Sequence, residues 1–149
     1  QTRYIGDWSS DVCSSDLLKD PEGANLDRIQ IVKGWLDEQG RSHEKIYDVS
    51  ASDDRKPDAQ THKVKPLGST VDIGTATYSN SIGAAQLYTF WQDPDFDADE
   101  PAFYDVRVLE LPTPRWPTYD ASFFDIDLPD NVPTTLQDRA YTSPIWYTP

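Results

Sequence analysis

The chain has 149 residues, a length that predicts a single domain. Its formal net charge of −13 argues against nucleic acid as a partner, because phosphate binding needs clustered lysine and arginine, and no apolar run is long enough to predict insertion into a membrane. Hydrophobic residues make up only 37% of the chain, but aromatic residues, at 12%, can still bury a core.

Residues 1–17 differ in character from the rest of the chain, and the tripeptide Ser-Ser-Asp occurs in them twice. Residues 11–17 back-translate to GACGTGTGCTCTTCCGATCT, which resembles a sequencing-library adaptor. We hypothesise that residues 1–17 are translated adaptor, and we exclude them from fold prediction. A natural serine-rich linker is the alternative. The single cysteine, Cys13, lies here, so residues 18–149 offer no disulfide, zinc cluster or thiol nucleophile.

From residue 18 onward the chain is patterned as short strands and turns. Residues 28–33 and 45–49 are rich in β-branched and apolar residues on either side of a turn at 37–40, which predicts a hairpin. The polar stretch 50–67 predicts a loop. Further strands are predicted at 70–73, 102–110 and 141–147, and an aromatic-rich stretch lies at 86–91. Short strands separated by turn signals predict an all-β sandwich.

Residues 111–133 contain five prolines, a density that argues against a long helix or a central strand. Trp116, Tyr119, Phe123 and Phe124 lie in this stretch. We expect these aromatic side chains to be buried over an end of the sandwich, since large aromatic side chains are mostly buried. An exposed platform that stacks sugars or bases is the alternative.

Several stretches of the chain carry a family resemblance. They include HEKIYDV at 43–49, WQDPDFD at 91–97, RVLELPTPRW at 107–116 and RAYTSPIWY at 139–147. Together with 18–37 and 54–57, and in the same order and spacing, these stretches resemble the C-terminal region of the DUF3604 family. The resemblance covers essentially all of residues 18–149 and says nothing specific about a substrate.

The resemblance implies a longer bacterial parent chain, similar to PHP-type metal-dependent hydrolases, in which a large N-terminal α/β barrel holds a divalent metal. It implies that the C-terminal region is an Ig-like β-sandwich packed on that barrel, and that the parent is periplasmic or secreted. Nothing in this chain matches the family's metal-binding motifs, so no catalytic residue is carried over. In the family an apolar strand precedes Lys19, where this chain has the adaptor-like segment. We therefore predict an all-β, Ig-like sandwich over 18–149, with long proline-rich loops and without its first strand.

An acidic loop is the candidate metal site, because alternating carboxylates suit calcium. Its candidate ligands are Asp93, Asp95, Asp97 and Asp99. The EF-hand pattern fails, since Ala98 stands where that loop needs glycine and Tyr104 where it needs glutamate. An acidic strand-connecting turn without metal is the alternative.

The two histidines, His43 and His62, are predicted to be solvated surface residues, because a hydrolytic metal site needs three or more converging ligands. A second acidic group, formed by Asp125, Asp127 and Asp130, is predicted to be a solvated loop. No catalytic residue is therefore assigned in this chain, and no cofactor.

The aromatic and arginine content of 112–125 predicts a surface that docks on the missing barrel, since such residues are typical of interface cores. The candidate contact residues are Pro114, Arg115, Trp116, Tyr119, Phe123 and Phe124. The sequence thus predicts a non-catalytic accessory β-sandwich whose partner is the parent's own catalytic domain. A carbohydrate- or calcium-binding module is the alternative, and a self-contained enzyme is disfavoured.

Overall fold

The structure is a computed structural model that describes the backbone of residues 3–9 and 12–149, with side chains from residue 15 onward. The described part contains strands joined by loops and a single α-helix. The elements are β1 (Arg3–Ser9), β2 (Val12–Leu18), β3 (Leu26–Leu36), β4 (Ser42–Ala51), β5 (Gln86–Gln92), β6 (Ala102–Glu110), β7 (Thr113–Pro114), α1 (Trp116–Phe124), β8 (Thr135–Leu136), β9 (Arg139–Tyr141) and β10 (Ile145–Tyr147).

These strands form two antiparallel sheets and a small ladder. One sheet has the order β1-β2-β5, and the other has the order β10-β6-β3-β4, with β9 also paired to β6. The small ladder joins β7 to β8 next to α1. The prediction of an all-β sandwich is confirmed. The predicted hairpin is β3–β4, and the strand predicted at 102–110 is β6.

The core lies between the two sheets, where alternate side chains of each strand point inward. Ile29 and Ile31 of β3 stand opposite Val108 and Val106 of β6, and all four are buried. Leu87 of β5 contributes from the other sheet to the same cluster. Fully burying each aliphatic side chain contributes about 1.5–3 kcal/mol, so this cluster is a main source of the sandwich's stability.

The position at which we expected a missing first strand is occupied by β2. Its residues pair with β5 in a continuous register that sets Leu17 opposite Leu87. Ser15 and Leu17 are both buried. In this chain β2 therefore takes the place of the first strand that we expected to be absent, because Leu17 fits the core face beside Leu87 of β5. The hypothesis about the origin of residues 1–17 stays a prediction.

Two predicted strands differ from the structure. Residues 70–73 form no strand, and only an isolated bridge joins Asp72 to Thr77. The strand predicted at 141–147 is divided between β9 and β10. Residues 116–124 form helix α1 despite the surrounding prolines. Pro117 lies in the first turn, where a missing N–H costs no hydrogen bond and the fixed φ suits a helix. Within the described residues, no helix is long and apolar enough to cross a membrane.

Candidate functional site

The acidic loop that follows β5 is held by a buried ion pair. Lys33 Nζ donates to Asp93 Oδ2 at 2.6 Å and to the carbonyl oxygen of Asp95 at 2.6 Å. The Tyr104 hydroxyl also donates to Asp93 Oδ2, at 2.6 Å. Lys33 lies on the same face of β3 as the core residues, so its ammonium group needs these partners to be buried. The Lys33–Asp93 ion pair therefore anchors the beginning of the acidic loop to the core.

A second ion pair holds Asp95 at the surface. Lys45 Nζ lies 2.5 Å from Asp95 Oδ2, and the Tyr47 hydroxyl donates to the same oxygen at 2.6 Å. The hydrogen bond from Lys45, and next the one from Tyr47, lower the pKa of Asp95. Burial, and then the hydrogen bond to Asp95, raise the pKa of Tyr47. At neutral pH the Asp95 carboxyl group is therefore ionised and the Tyr47 hydroxyl is protonated.

These contacts separate the four carboxylates predicted to bind calcium. Asp93 faces Lys33 and Asp95 faces Lys45, while Asp97 Oδ1 accepts the backbone N–H of Asp99 at 2.9 Å. Among the residues whose side chains are described, no three histidine, cysteine or acidic side chains gather as a metal site would require. Calcium binding stays a prediction, and it would have to displace two lysines.

The two histidines have different neighbours. The ring of His43 stacks on Trp35 at 5.3 Å, and its Nε2 lies 2.9 Å from Asp37 Oδ2. That hydrogen bond, and next the one from the backbone of Arg41, lower the pKa of Asp37 to about 2. His62 packs against the Tyr47 ring. Neither histidine joins a cluster of potential metal ligands in the described structure.

Helix α1 presents the aromatic surface. Trp116, Tyr119 and Phe123 lie three and four residues apart, which places them along one face of the helix. Trp116 is 68% exposed and Phe123 81% exposed, and Phe124 stands beside Phe123 with ring centroids 4.9 Å apart. The expectation that these aromatic side chains are buried is wrong. The other side of the helix carries its buried residues, Pro117 and Thr118.

Thr118 anchors that buried side of α1. It is fully buried, and its Oγ1 donates to the carbonyl oxygen of Thr134 at 2.6 Å. The backbone N–H of Arg115 donates to the same oxygen at 2.8 Å. Pro114, one of the predicted contact residues, is buried in the β7–β8 ladder, and Arg115 is half-buried. The exposed members of the predicted contact surface are therefore Trp116, Tyr119, Phe123 and Phe124, and we call these four residues the aromatic face.

Sequence reasoning missed the lysines and tyrosines that hold the acidic loop. A signal for Lys33 was present, because alternation along β3 puts it on the face of Ile29 and Ile31. A cation on a core face requires a buried carboxylate nearby. The identity of the carboxylate that pairs with Lys33 depends on how the loop after β5 folds back onto β3, and the sequence does not show this. The exposure of the aromatic face had no comparable signal.

The geometry defines a β-sandwich with an exposed aromatic helix, in which Asp93 and Asp95 are paired with lysines and His43 with Asp37. A comparison with protein families matches residues 15–149 to the model for DUF3604, a protein of unknown function. The chain belongs to the DUF3604 family. No curated protein and no solved structure matches it.

Proposed function

We propose that this chain is the non-catalytic accessory β-sandwich of a longer metal-dependent hydrolase, and that it docks on the catalytic domain through the aromatic face of α1. The observation that carries the proposal is the exposure of four aromatic side chains on one short helix. Monomeric proteins rarely expose large contiguous apolar patches, and such patches mark interaction surfaces. Aromatic residues are also enriched in interface cores.

The distribution of polar groups supports a non-catalytic role for this domain. Asp93 and Asp95 are engaged by lysines, and Lys33 is only 4% exposed in its side chain. A substrate would have no access to that ion pair. The hydrolytic chemistry and its divalent metal would therefore belong to the parent's N-terminal catalytic domain. By resemblance to the family, the parent would act in the periplasm or outside the cell.

The test uses the full parent chain encoded by the natural gene. Replacing both Trp116 and Phe123 with serine should loosen the docked domain, because removing buried aromatic anchors weakens an interface. Limited proteolysis between the domains and the cooperativity of thermal unfolding would report the change. The matched control replaces Tyr88 and Phe90, which are also largely exposed and lie on β5, with serine. The proposal fails if the α1 variant behaves like this control.

Carbohydrate binding is a second candidate, and a different surface favours it. Tyr88 and Phe90 alternate with buried residues on β5, so both rings project from the outer face of that sheet. Gln86 is exposed on the same face of β5. Two neighbouring rings beside a side-chain amide are suited to stacking and hydrogen bonding with sugars. A glycan screen of the 149-residue chain against its Tyr88→Ala variant tests this role.

We also propose that residues 1–17 are translated adaptor in origin. The family match begins at Ser15, inside that segment. The natural gene should then encode a different, more apolar strand at the position of β2. A genomic read through this region decides the matter, and a natural Ser-Ser-Asp repeat at 9–16 would refute the idea.

A further inference from the structure

A groove lies beside the aromatic face, between the C-terminal half of α1 and the loop around residue 73. Its volume is about 390 Å³. Ile73, Ile126 and Leu128 supply apolar walls, and Asp125 and Asp127 are also lining residues. The groove therefore combines hydrocarbon surface with two acidic residues.

The helix adds a further negative potential at this position. Asp125 follows the last residue of α1 and caps it in the left-handed conformation, with φ 52° and ψ 52°. The C-terminal end of a helix carries a partial negative charge that favours cations and repels carboxylates. The last turn of α1 has no basic residue. The sequence has no lysine or arginine from Trp116 to Asp138, so nothing in this segment offsets the charge.

We propose that this groove receives a lysine or arginine side chain from the domain on which α1 docks. The inference rests on the proposed function and names the chemistry of the partner's surface: a basic residue beside an apolar patch. The aliphatic stem of the incoming side chain would lie along Ile73, Ile126 and Leu128, as long cationic side chains cover apolar surface with their stems. Its charged head would pair with Asp125 and Asp127 in charge-assisted hydrogen bonds.

The composition of the groove favours an organic cation over a metal ion. Hard cations such as calcium take six or more oxygen ligands. The groove lining has two acidic residues, and its other polar side chains are Thr118, Ser122 and Thr134. The hydroxyl groups of Thr118 and Ser122 already donate to backbone carbonyl oxygens. Among the described residues, no group of three potential metal ligands is found here or elsewhere. A guanidinium or ammonium group on a hydrocarbon stem uses both kinds of surface.

The 149-residue chain itself can be tested with a small probe. Butylguanidinium should shift the amide NMR signals of residues 121–128, and butanol, which has the same stem without the charge, should shift them at least about fivefold less at equal concentration. The variant Asp125→Asn/Asp127→Asn should lose that preference. The control Asp120→Asn/Asp130→Asn removes the same charge outside the groove lining and should keep it. Each variant's amide spectrum also reports whether it is folded.

The inference would be overturned by equal shifts from butanol, by an unchanged preference in the Asp125→Asn/Asp127→Asn variant, or by an equal loss of preference in the control. Calcium shifting the same amides as strongly as the probe would also overturn it in favour of a metal site. The probe experiment does not involve the parent's catalytic domain. Its failure would leave docking through the aromatic face intact. If the Trp116 and Phe123 variant instead showed no loss of docking, the domain proposed to supply the cation would be removed, even if the groove bound the probe.

Discussion

The ammonium group of Lys33 lies 2.6 Å from a carboxylate oxygen of Asp93 inside the sandwich, with 4% and 1% of the two side chains exposed. Tyr104 donates to the same oxygen and shares its strand with the core residues Val106 and Val108. The acidic loop is thereby tied to both β3 and β6. Breaking one side of this contact leaves a buried charge without its partner.

The first prediction concerns this pair. Lys33→Met should destabilise the fold by about 3–5 kcal/mol, because it leaves the Asp93 carboxylate buried and uncompensated. Urea unfolding followed by fluorescence measures the change. The control is Lys45→Met, which removes a partly exposed pair with Asp95 and should cost less than about 1 kcal/mol. Equal losses in the two variants would contradict the prediction. Adding Asp93→Leu to Lys33→Met should restore much of the stability.

The second prediction concerns the contact between β3 and β6 at Gly34. The ring of Phe103 lies directly over this glycine, so a methyl group at Gly34 would overlap the ring. Gly34→Ala should therefore destabilise the fold by about 1–3 kcal/mol through overpacking. Gly74→Ala is the control, because the nearest atom to a methyl group there is Asp72 Oδ1 at 3.5 Å. Adding Phe103→Leu to Gly34→Ala should restore part of the lost stability. If it restored none, overlap with the Phe103 ring would not be the cause of the loss.

The third prediction concerns pH. Burial, followed by the charges of Asp138 and Asp20, raises the pKa of Glu110 above its ordinary value of 4.5. A raised pKa means that the folded chain binds the Glu110 proton more tightly than the unfolded chain does. The resulting contribution to the free energy of unfolding is present at low pH and is lost as pH rises through the folded-state pKa. Glu110→Gln should therefore stabilise the chain at neutral pH and not in acid. Thermal unfolding across pH measures the difference, with exposed Glu44→Gln as the control. A gain that persists in acid would contradict the explanation.

The fourth prediction concerns the end of α1. Asp125 holds a left-handed conformation that glycine adopts without cost, and its charge is repelled by the helix end. Asp125→Gly should therefore stabilise the fold by about 1 kcal/mol while weakening binding of a cation in the groove. Asp125→Asn removes the charge but keeps a side chain, so it should stabilise less. Chemical denaturation ranks the three proteins, and a destabilised glycine variant would show that the carboxylate has a structural partner.

The proline-rich stretch shows the limit of reasoning from residue type. Proline density correctly predicts the absence of a long helix or central strand, because proline removes a backbone donor. It could not exclude a helix that begins at Trp116, since Pro117 then lies in the first turn. Nor could residue type say which side of that helix faces solvent. Thr118 is buried and Phe123 exposed, which reverses their ordinary preferences.

The sequence by itself determined the sandwich class, the β3–β4 hairpin and the strand β6, because alternation of side chains is a local property of the chain. It also carried the family resemblance. Only the tertiary structure decided that β2 completes the edge of β5, that Lys33 meets Asp93 and that α1 turns its aromatic face outward. These outcomes join residues far apart along the chain. The free energies of these contacts depend on packing and on the low-dielectric interior that the contacting residues share. A local sequence pattern contains no information on either.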